Sequence, residues 1–296
     1  MLAAVLLAAA AVGAPPPAVL QSTYDRARER GDAAAVRAVE RFDHRPARLR
    51  LPATLPRVPD PRAHPEGRRD VALSLELERL GRSFAGWAAF WVHDLRTGRT
   101  AGWNSDARFP AASTVKLAVL DAALRRFGGP GSPIDYDLRQ LAAWSSNLAA
   151  NRLYELLGPD ATDRSLARLG MRSSTYTGPY RAGTSFDAPK PPPHAHTRVT
   201  TAHDLGRALY RFQRSYRVAL RYLLLDWPGS SIVRGGFPAG TPVAGKDGWI
   251  SDMRGSAAIA YLPSGPKIVV VLAYRPGIED AEPRRLGERV ARLVSS

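Results

Sequence analysis

Residues 71–80 carry apolar side chains at Val71, Leu73, Leu75 and Leu80, interleaved with Glu76 and Glu78. This amphipathic pattern predicts a helix. Residues 84–95 are rich in aromatic and small apolar residues and predict a strand. Arg96-Thr97-Gly98 forms a turn signal, and residues 99–104 predict the returning strand. Helical patterns follow at 113–127, 138–144, 148–157 and 202–212. The first is stopped by Gly128-Gly129-Pro130, and Thr201 is placed to cap the last. Residues 171–199 hold Pro179, Pro189 and Pro191 to Pro193 and predict a loop.

The end of the chain changes period. Residues 242–250, 256–262 and 267–274 predict three strands, with Pro263-Ser264-Gly265-Pro266 as the turn between the last two. Residues 279–294 predict a closing helix, acidic at its start and basic later, as the helix dipole favours. Two early strands and three late ones, with short connections, predict an antiparallel five-stranded sheet flanked by helices. The fold class is α/β of the α+β type, with an all-helical subdomain over about 113–212 inserted between the two strand groups.

Ahead of this domain, expected to run over 69–296, lie two segments of other character. Residues 1–18 are apolar and small and uncharged, which predicts a signal peptide or an N-terminal anchor. Residues 19–68 predict a short helix over 20–43, then a linker or strap with six prolines between Pro46 and Pro65. The composition, 45% hydrophobic and 23% charged, is that of a globular chain. There is no cysteine, which excludes disulfides and thiolate chemistry. His194 and His196 are the only close histidine pair and have no carboxylate beside them in sequence, so no metal site is predicted. The net charge of +15 comes from dispersed arginines without a recognised nucleic-acid motif. An arginine-rich composition explains it, as does an encounter with anionic wall polymers or lipid headgroups. Nucleic acid is not an expected partner.

Of 42 basic residues only four are lysines: Lys116, Lys190, Lys246 and Lys267. A lysine amine can lose its proton when its surroundings disfavour the charge, whereas a guanidinium cannot. Lys116 stands three residues after Ser113, which on a helix puts both on one face. Alone, Ser113-Thr114-Val115-Lys116 reads first as an ordinary helix start, with Ser113 or Thr114 as N-cap. Two further motifs follow in order: Ser145-Ser146-Asn147 between helices, and Lys246-Asp247-Gly248 on a late strand. The ordered set resembles the S-x-x-K, S-D-N and K-T-G triplet of class A β-lactamases and penicillin-binding proteins. The resemblance covers about residues 70–296.

It implies a β-lactamase/transpeptidase-like fold and an exported serine hydrolase that acylates itself on a β-lactam or related amide. Ser113 would be the nucleophile, Lys116 its base, and Ser145 the relay of a proton to the leaving nitrogen. Burial and the second cation, Lys246, would disfavour the charge on Lys116. The Ser113 and Trp249 backbone N–H groups would form the oxyanion hole, with Asn147, Asp247, Gly248 and Arg254 lining the substrate site. No cofactor and no metal are implied, and a monomer is expected. The substrate would be a β-lactam or peptidoglycan-like small molecule. No membrane insertion is expected beyond an N-terminal anchor, if residues 1–18 are retained.

The chain departs from the pattern in four places. Ser146 replaces the aspartate of S-D-N. Asp247 replaces the threonine of K-T-G, and would repel a substrate carboxylate unless Arg254 neutralises it. The long loop lacks the glutamate that activates the deacylating water in class A enzymes, and Asp187 is the one carboxylate over 171–202. Asp187 is the candidate water base, or else a loop cap. Ser145 follows Ser113 by only 32 positions, which implies a more open cleft. These departures keep two alternatives in view: a D,D-peptidase, wall amidase or esterase of the same fold, and a catalytically idle wall-binding protein.

Overall fold

The computed structural model describes residue 34 and residues 50–56, 67–180, 198–225 and 231–296. The apolar residues 1–18 lie outside the described residues, as does the helix expected over 20–43 apart from residue 34. The Asp70 carboxylate accepts from the Leu73 N–H at 3.0 Å and caps helix α1, Val71–Arg82. Strands β1 (Trp87–Asp94) and β2 (Thr100–Trp103) form the first hairpin. Asp94 fastens its turn by accepting from the N–H groups of Arg96 at 2.8 Å and Thr97 at 3.0 Å.

After the short strand β3 (Phe109–Pro110) come four helices: α2 (Lys116–Phe127), α3 (Asp135–Trp144), α4 (Asn147–Leu157) and α5 (Pro159–Leu169). Strand β4 (Val199–Thr200) pairs antiparallel with β3 and leads into α6 (Ala202–Ser215) and α7 (Val218–Leu223). Thr201 caps α6, its hydroxyl accepting from the Asp204 N–H at 3.0 Å. Strands β5 (Val243–Ile250), β6 (Met253–Leu262) and β7 (Gly265–Tyr274) precede the closing helix α8, Ala281–Ser295.

The sheet order is β2-β1-β7-β6-β5 and every neighbouring pair is antiparallel. Its strands are buried on both faces, which is why they read as nearly continuous apolar runs. On one face Ala89, Trp91, Ala257 and Val270 join the core of the helical block; on the other Phe90, Val92, Ala258 and Val271 join residues of α1 and α8. Strand β5 is the last in the order, so among the described residues one edge of its backbone has no sheet partner.

Helix α2 runs through the helical block, with every residue from Lys116 to Leu124 buried. It is tied to α5 through Asp121, which is fully buried and accepts from Ser165 Oγ at 2.7 Å, Arg125 Nε at 2.8 Å and Arg168 at 3.0 Å. Part of the proline-rich segment lies along this block. Pro52 O accepts from Arg221 Nε at 2.8 Å and Pro56 O from Arg217 at 3.1 Å, while Leu51 and Leu55 pack against the core.

Several elements differ from expectation. Helix α2 begins at Lys116 and not at Ser113, and α3 begins at Asp135. Strand β6 begins at Met253, because a two-residue turn pairs Ile250 directly with Met253. Helices α5 and α7 and the β3–β4 pair were not predicted. Helix α5 is hard to read because Thr162 and Ser165 take up part of its buried face. Among the described residues no helix is long and apolar enough to cross a membrane.

Candidate active site

Ser113 lies half-buried in the turn just ahead of α2. Ala112 before it takes φ +46°, a conformation that costs a non-glycine residue about 1–3 kcal/mol and concentrates at functional sites. The turn is held from several sides. Thr114 Oγ1 donates to Ala111 O at 2.6 Å, and the Ala111 N–H donates to Arg198 O at 2.8 Å. Tyr180 Oη donates to Ala112 O at 3.0 Å.

Strand β5 passes directly beside this turn. A Cβ on Gly248 would stand 2.9 Å from Ser113 N, so glycine is what allows the two backbones to approach. Backbone parity shows what the strand presents there. The Tyr261 N–H donates to Pro242 O at 3.0 Å, so with this register residues 244, 246 and 248 exchange hydrogen bonds with β6. Residues 243, 245, 247 and 249 therefore turn their N–H and C=O groups off the free edge. The Asp247 and Val243 carbonyls, bonded by Lys246 Nζ at 2.9 Å and Arg234 at 3.1 Å, fit this parity. The Trp249 N–H thus points off the same edge that borders Ser113.

Lys116 and Lys246 are both fully buried. Lysine is almost never buried without partners, and here both amines meet on one serine. Lys246 Nζ donates to Ser145 Oγ at 2.8 Å. Lys116 Nζ donates to Ser145 O at 2.6 Å, to Asn147 Oδ1 at 2.5 Å and to Ser145 Oγ at 3.4 Å. Ser145, at the end of α3, takes the left-handed φ of +56°, which turns its carbonyl and hydroxyl toward the lysines. A hydroxyl that accepts from two amines still has its own proton to donate. Burial first, and then the charges of Lys246 and Arg198, push the Lys116 ammonium well below the ordinary lysine range. Lys116, expected as the base for Ser113, makes its hydrogen bonds to Ser145 and Asn147 and none to the Ser113 hydroxyl.

Ser146 does the local work open to an aspartate at its position. It is the N-cap of α4, its hydroxyl accepting from the Ala149 N–H at 3.1 Å. Two predicted substrate residues are engaged elsewhere. The buried Asp247 carboxylate accepts from Ser256 Oγ, on the face opposite Lys246. Arg254 pairs with Asp280 and donates to the carbonyls of Ile250, Met253 and Ile278. Its guanidinium fastens the β5–β6 turn to the start of α8. Asp187 lies outside the described residues. Among the described residues no group of three or more His, Asp or Glu could hold a metal ion.

Three residues at the site were not assigned a role from the sequence. The Tyr180 ring is buried, with Lys116 Nζ and Arg198 Cζ each 4.3 Å from its centroid. Asn151 grips the Tyr180 backbone, Nδ2 donating to its O and Oδ1 accepting from its N–H, both at 2.7 Å. Arg198 donates to the carbonyls of Thr177 at 2.9 Å and Pro179 at 2.8 Å, shaping the turn that delivers Tyr180. The one sequence signal was an aromatic residue directly after Gly178-Pro179.

A serine beside a strained turn, two buried lysines converging on a second serine, and the edge of a strand alongside make up the candidate active site on a mixed sheet-and-helix scaffold. The profile described as "Beta-lactamase enzyme family" matches residues 72–129 and 132–296, and the chain belongs to that family of serine hydrolases. A β-lactamase of Bacillus licheniformis is 24% identical over 234 residues, covering 68% of this chain and 75% of the relative. The same fold is found in PBP-A, with a TM-score of 0.65 at 19% identity, covering 78% of this chain and 97% of that one. A mutant of PBP-A is known as an acyl-enzyme complex with penicillin G. A β-lactamase from Desulfarculus baarsii superposes with a TM-score of 0.65 at 22% identity, covering 76% and 96%.

Proposed function

We propose that the chain is an exported active-site serine hydrolase that forms an acyl-enzyme at Ser113 on a β-lactam or related amide. The observation that carries this reading is the meeting of two fully buried lysine amines on the Ser145 hydroxyl, next to the Ser113 turn. Holding two amines there costs desolvation energy that a purely structural role does not require.

Ser113 Oγ attacks the carbonyl carbon and gives its proton to a neutral Lys116 amine. A rotamer change of either side chain, or one water, brings the two into contact on substrate binding. The proton passes by way of Ser145 Oγ to the leaving nitrogen as the C–N bond breaks. The oxyanion is held by the Ser113 and Trp249 N–H groups, each donor worth about 3 kcal/mol. Lys246 keeps the Ser145 hydroxyl oriented, and Asn147, its amide oxygen taken by Lys116, offers its NH2 group to the substrate. Water then attacks the ester and frees Ser113. Residues 69–296 form the catalytic domain in this reading, and residues 1–18 supply the export signal.

A D,D-peptidase activity of the same site is the second reading. It is favoured by the partners of Lys116, none of which is a carboxylate among the described residues. Without a carboxylate to activate water, an acyl-enzyme is long-lived.

Intact-mass spectrometry with penicillin G tests the proposal. The expected result is a penicilloyl adduct on the wild type and none on Ser113→Ala. An equal adduct on Ser113→Ala, or no adduct from penicillin, ester and peptide probes alike, overturns it. Turnover of D-Ala-D-Ala peptides without penicillin hydrolysis selects the second reading.

A further inference from the structure

The geometry points to Tyr180 as a positioning residue that fixes the Ser113 oxyanion donor through the Ala112–Ser113 peptide plane. This inference rests on the acyl-enzyme reading above. The Ala112 carbonyl and the Ser113 N–H belong to one planar, trans peptide unit, so they point in opposite directions. Tyr180 Oη donates to that carbonyl at 3.0 Å. Pinning the oxygen fixes where the N–H points, and a hydrogen bond to the carbonyl polarises the N–H at the other end of the unit. Ser113 N faces β5, where a Gly248 Cβ would stand at 2.9 Å and where the Trp249 N–H leaves the sheet edge. Ala112 sits at φ +46°, so this plane is held in a conformation that an alanine seldom adopts unaided.

Tyr180 is itself fixed at three points. Asn151 holds its backbone through two hydrogen bonds of 2.7 Å. Asn151 lies one turn along α4 from Asn147, which binds Lys116. The ring packs over the Lys116 amine with Arg198 at the same distance. Burial pushes the phenol's pKa upward, so its hydroxyl remains a donor throughout the neutral range. One side chain therefore couples the oxyanion donor to the helix that orients the general base.

Tyr180→Phe isolates the hydroxyl, because it keeps the ring against Lys116. The test compares it with the wild type in three measurements: the acylation rate with penicillin G, the labelling rate with a fluorophosphonate, and the infrared band of the acyl-ester carbonyl. The expected result is acylation about five- to tenfold slower, the loss of one useful hydrogen bond. The carbonyl band should move to higher frequency, as weaker oxyanion donors require. The pH at which acylation rises should not move, since Lys116 keeps its surroundings. Tyr180→Ala, which also strips the ring from Lys116, should move that pH as well. Wild-type rates and an unmoved carbonyl band in Tyr180→Phe, with unchanged thermal unfolding, overturn the inference. If penicillin G leaves no adduct but the fluorophosphonate labels Ser113, the β-lactam reading fails while Tyr180 is still judged on labelling rates. A wild-type Ser113 that neither probe labels overturns both.

Discussion

Gly248→Ala separates the close approach of β5 from the chemistry of its neighbours, because it adds one methyl group and removes no polar atom. The new Cβ would stand 2.9 Å from Ser113 N, 3.0 Å from Thr114 N and 3.0 Å from Thr114 Cγ2. Two of these atoms are backbone and cannot rotate away. Thr114 is fully buried and tied to Ala111 O, so the third is little freer. Comfortable contacts begin near ~3.5 Å, so strand and turn must part by about half an ångström. Overpacking of this kind costs about 1–3 kcal/mol of stability. The displacement falls on an N–H that the mechanism uses as an oxyanion donor. A full donor is worth about 3 kcal/mol, and a partial misplacement should slow acylation about tenfold. Urea unfolding measures the first effect and stopped-flow acylation with a chromogenic cephalosporin the second. A variant that loses stability yet acylates at the wild-type rate would show that the Ser113 N–H does not serve the reaction. One that loses neither would show that the two backbones are not in contact.

Further predictions concern the buried charges. Acylation should rise with pH as Lys116 deprotonates, with an inflection below the ordinary lysine value of 10.5. Between the lowered and the ordinary value the unfolded chain binds a proton that the fold does not, so this residue's contribution to stability rises with pH there. Urea unfolding of the wild type relative to Lys116→Met should show that rise, and a fall would contradict it. Asp121→Asn should cost about 3 kcal/mol, because a buried carboxylate with hydrogen bonds to Ser165, Arg125 and Arg168 links α2 to α5; a loss below a third of that would mean the arginines hold nothing there. Arg254→Ala should lower stability by about 1–2 kcal/mol while leaving the apparent affinity for penicillin G unchanged. A tenfold weaker affinity would instead assign Arg254 to the substrate.

Regular elements with strong periodicity were legible in the sequence. The β7 run at Ile268 to Tyr274 is apolar because both of its faces are buried, and Thr201 announces α6 by its capping chemistry. The two lysine motifs were legible because lysine is scarce in this chain. What escaped depends on contacts that carry no local pattern. Nothing in an alanine signals the positive φ of Ala112. The partner of Arg254, Asp280, is not legible beside it because the two are distant in sequence and meet only in the folded structure. Asp247 read as a charge in the cleft, but strand alternation sends it to the other face, where Ser256 receives it. Tyr180 was hidden in a proline-flanked loop, and its role emerges only once Asn151 and Ala112 are brought to it.

The central pairing of the sheet has a kinetic consequence. Strand β1 lies between β2 and β7, so Asp94 pairs with Lys267 and Trp87 with Tyr274 across almost the whole domain. During synthesis the first hairpin must wait, with an apolar edge unsatisfied, until the last strand leaves the ribosome. Such high contact order makes refolding slow and leaves the incomplete chain prone to aggregation, so a chaperone that shields that edge should raise the yield of active protein.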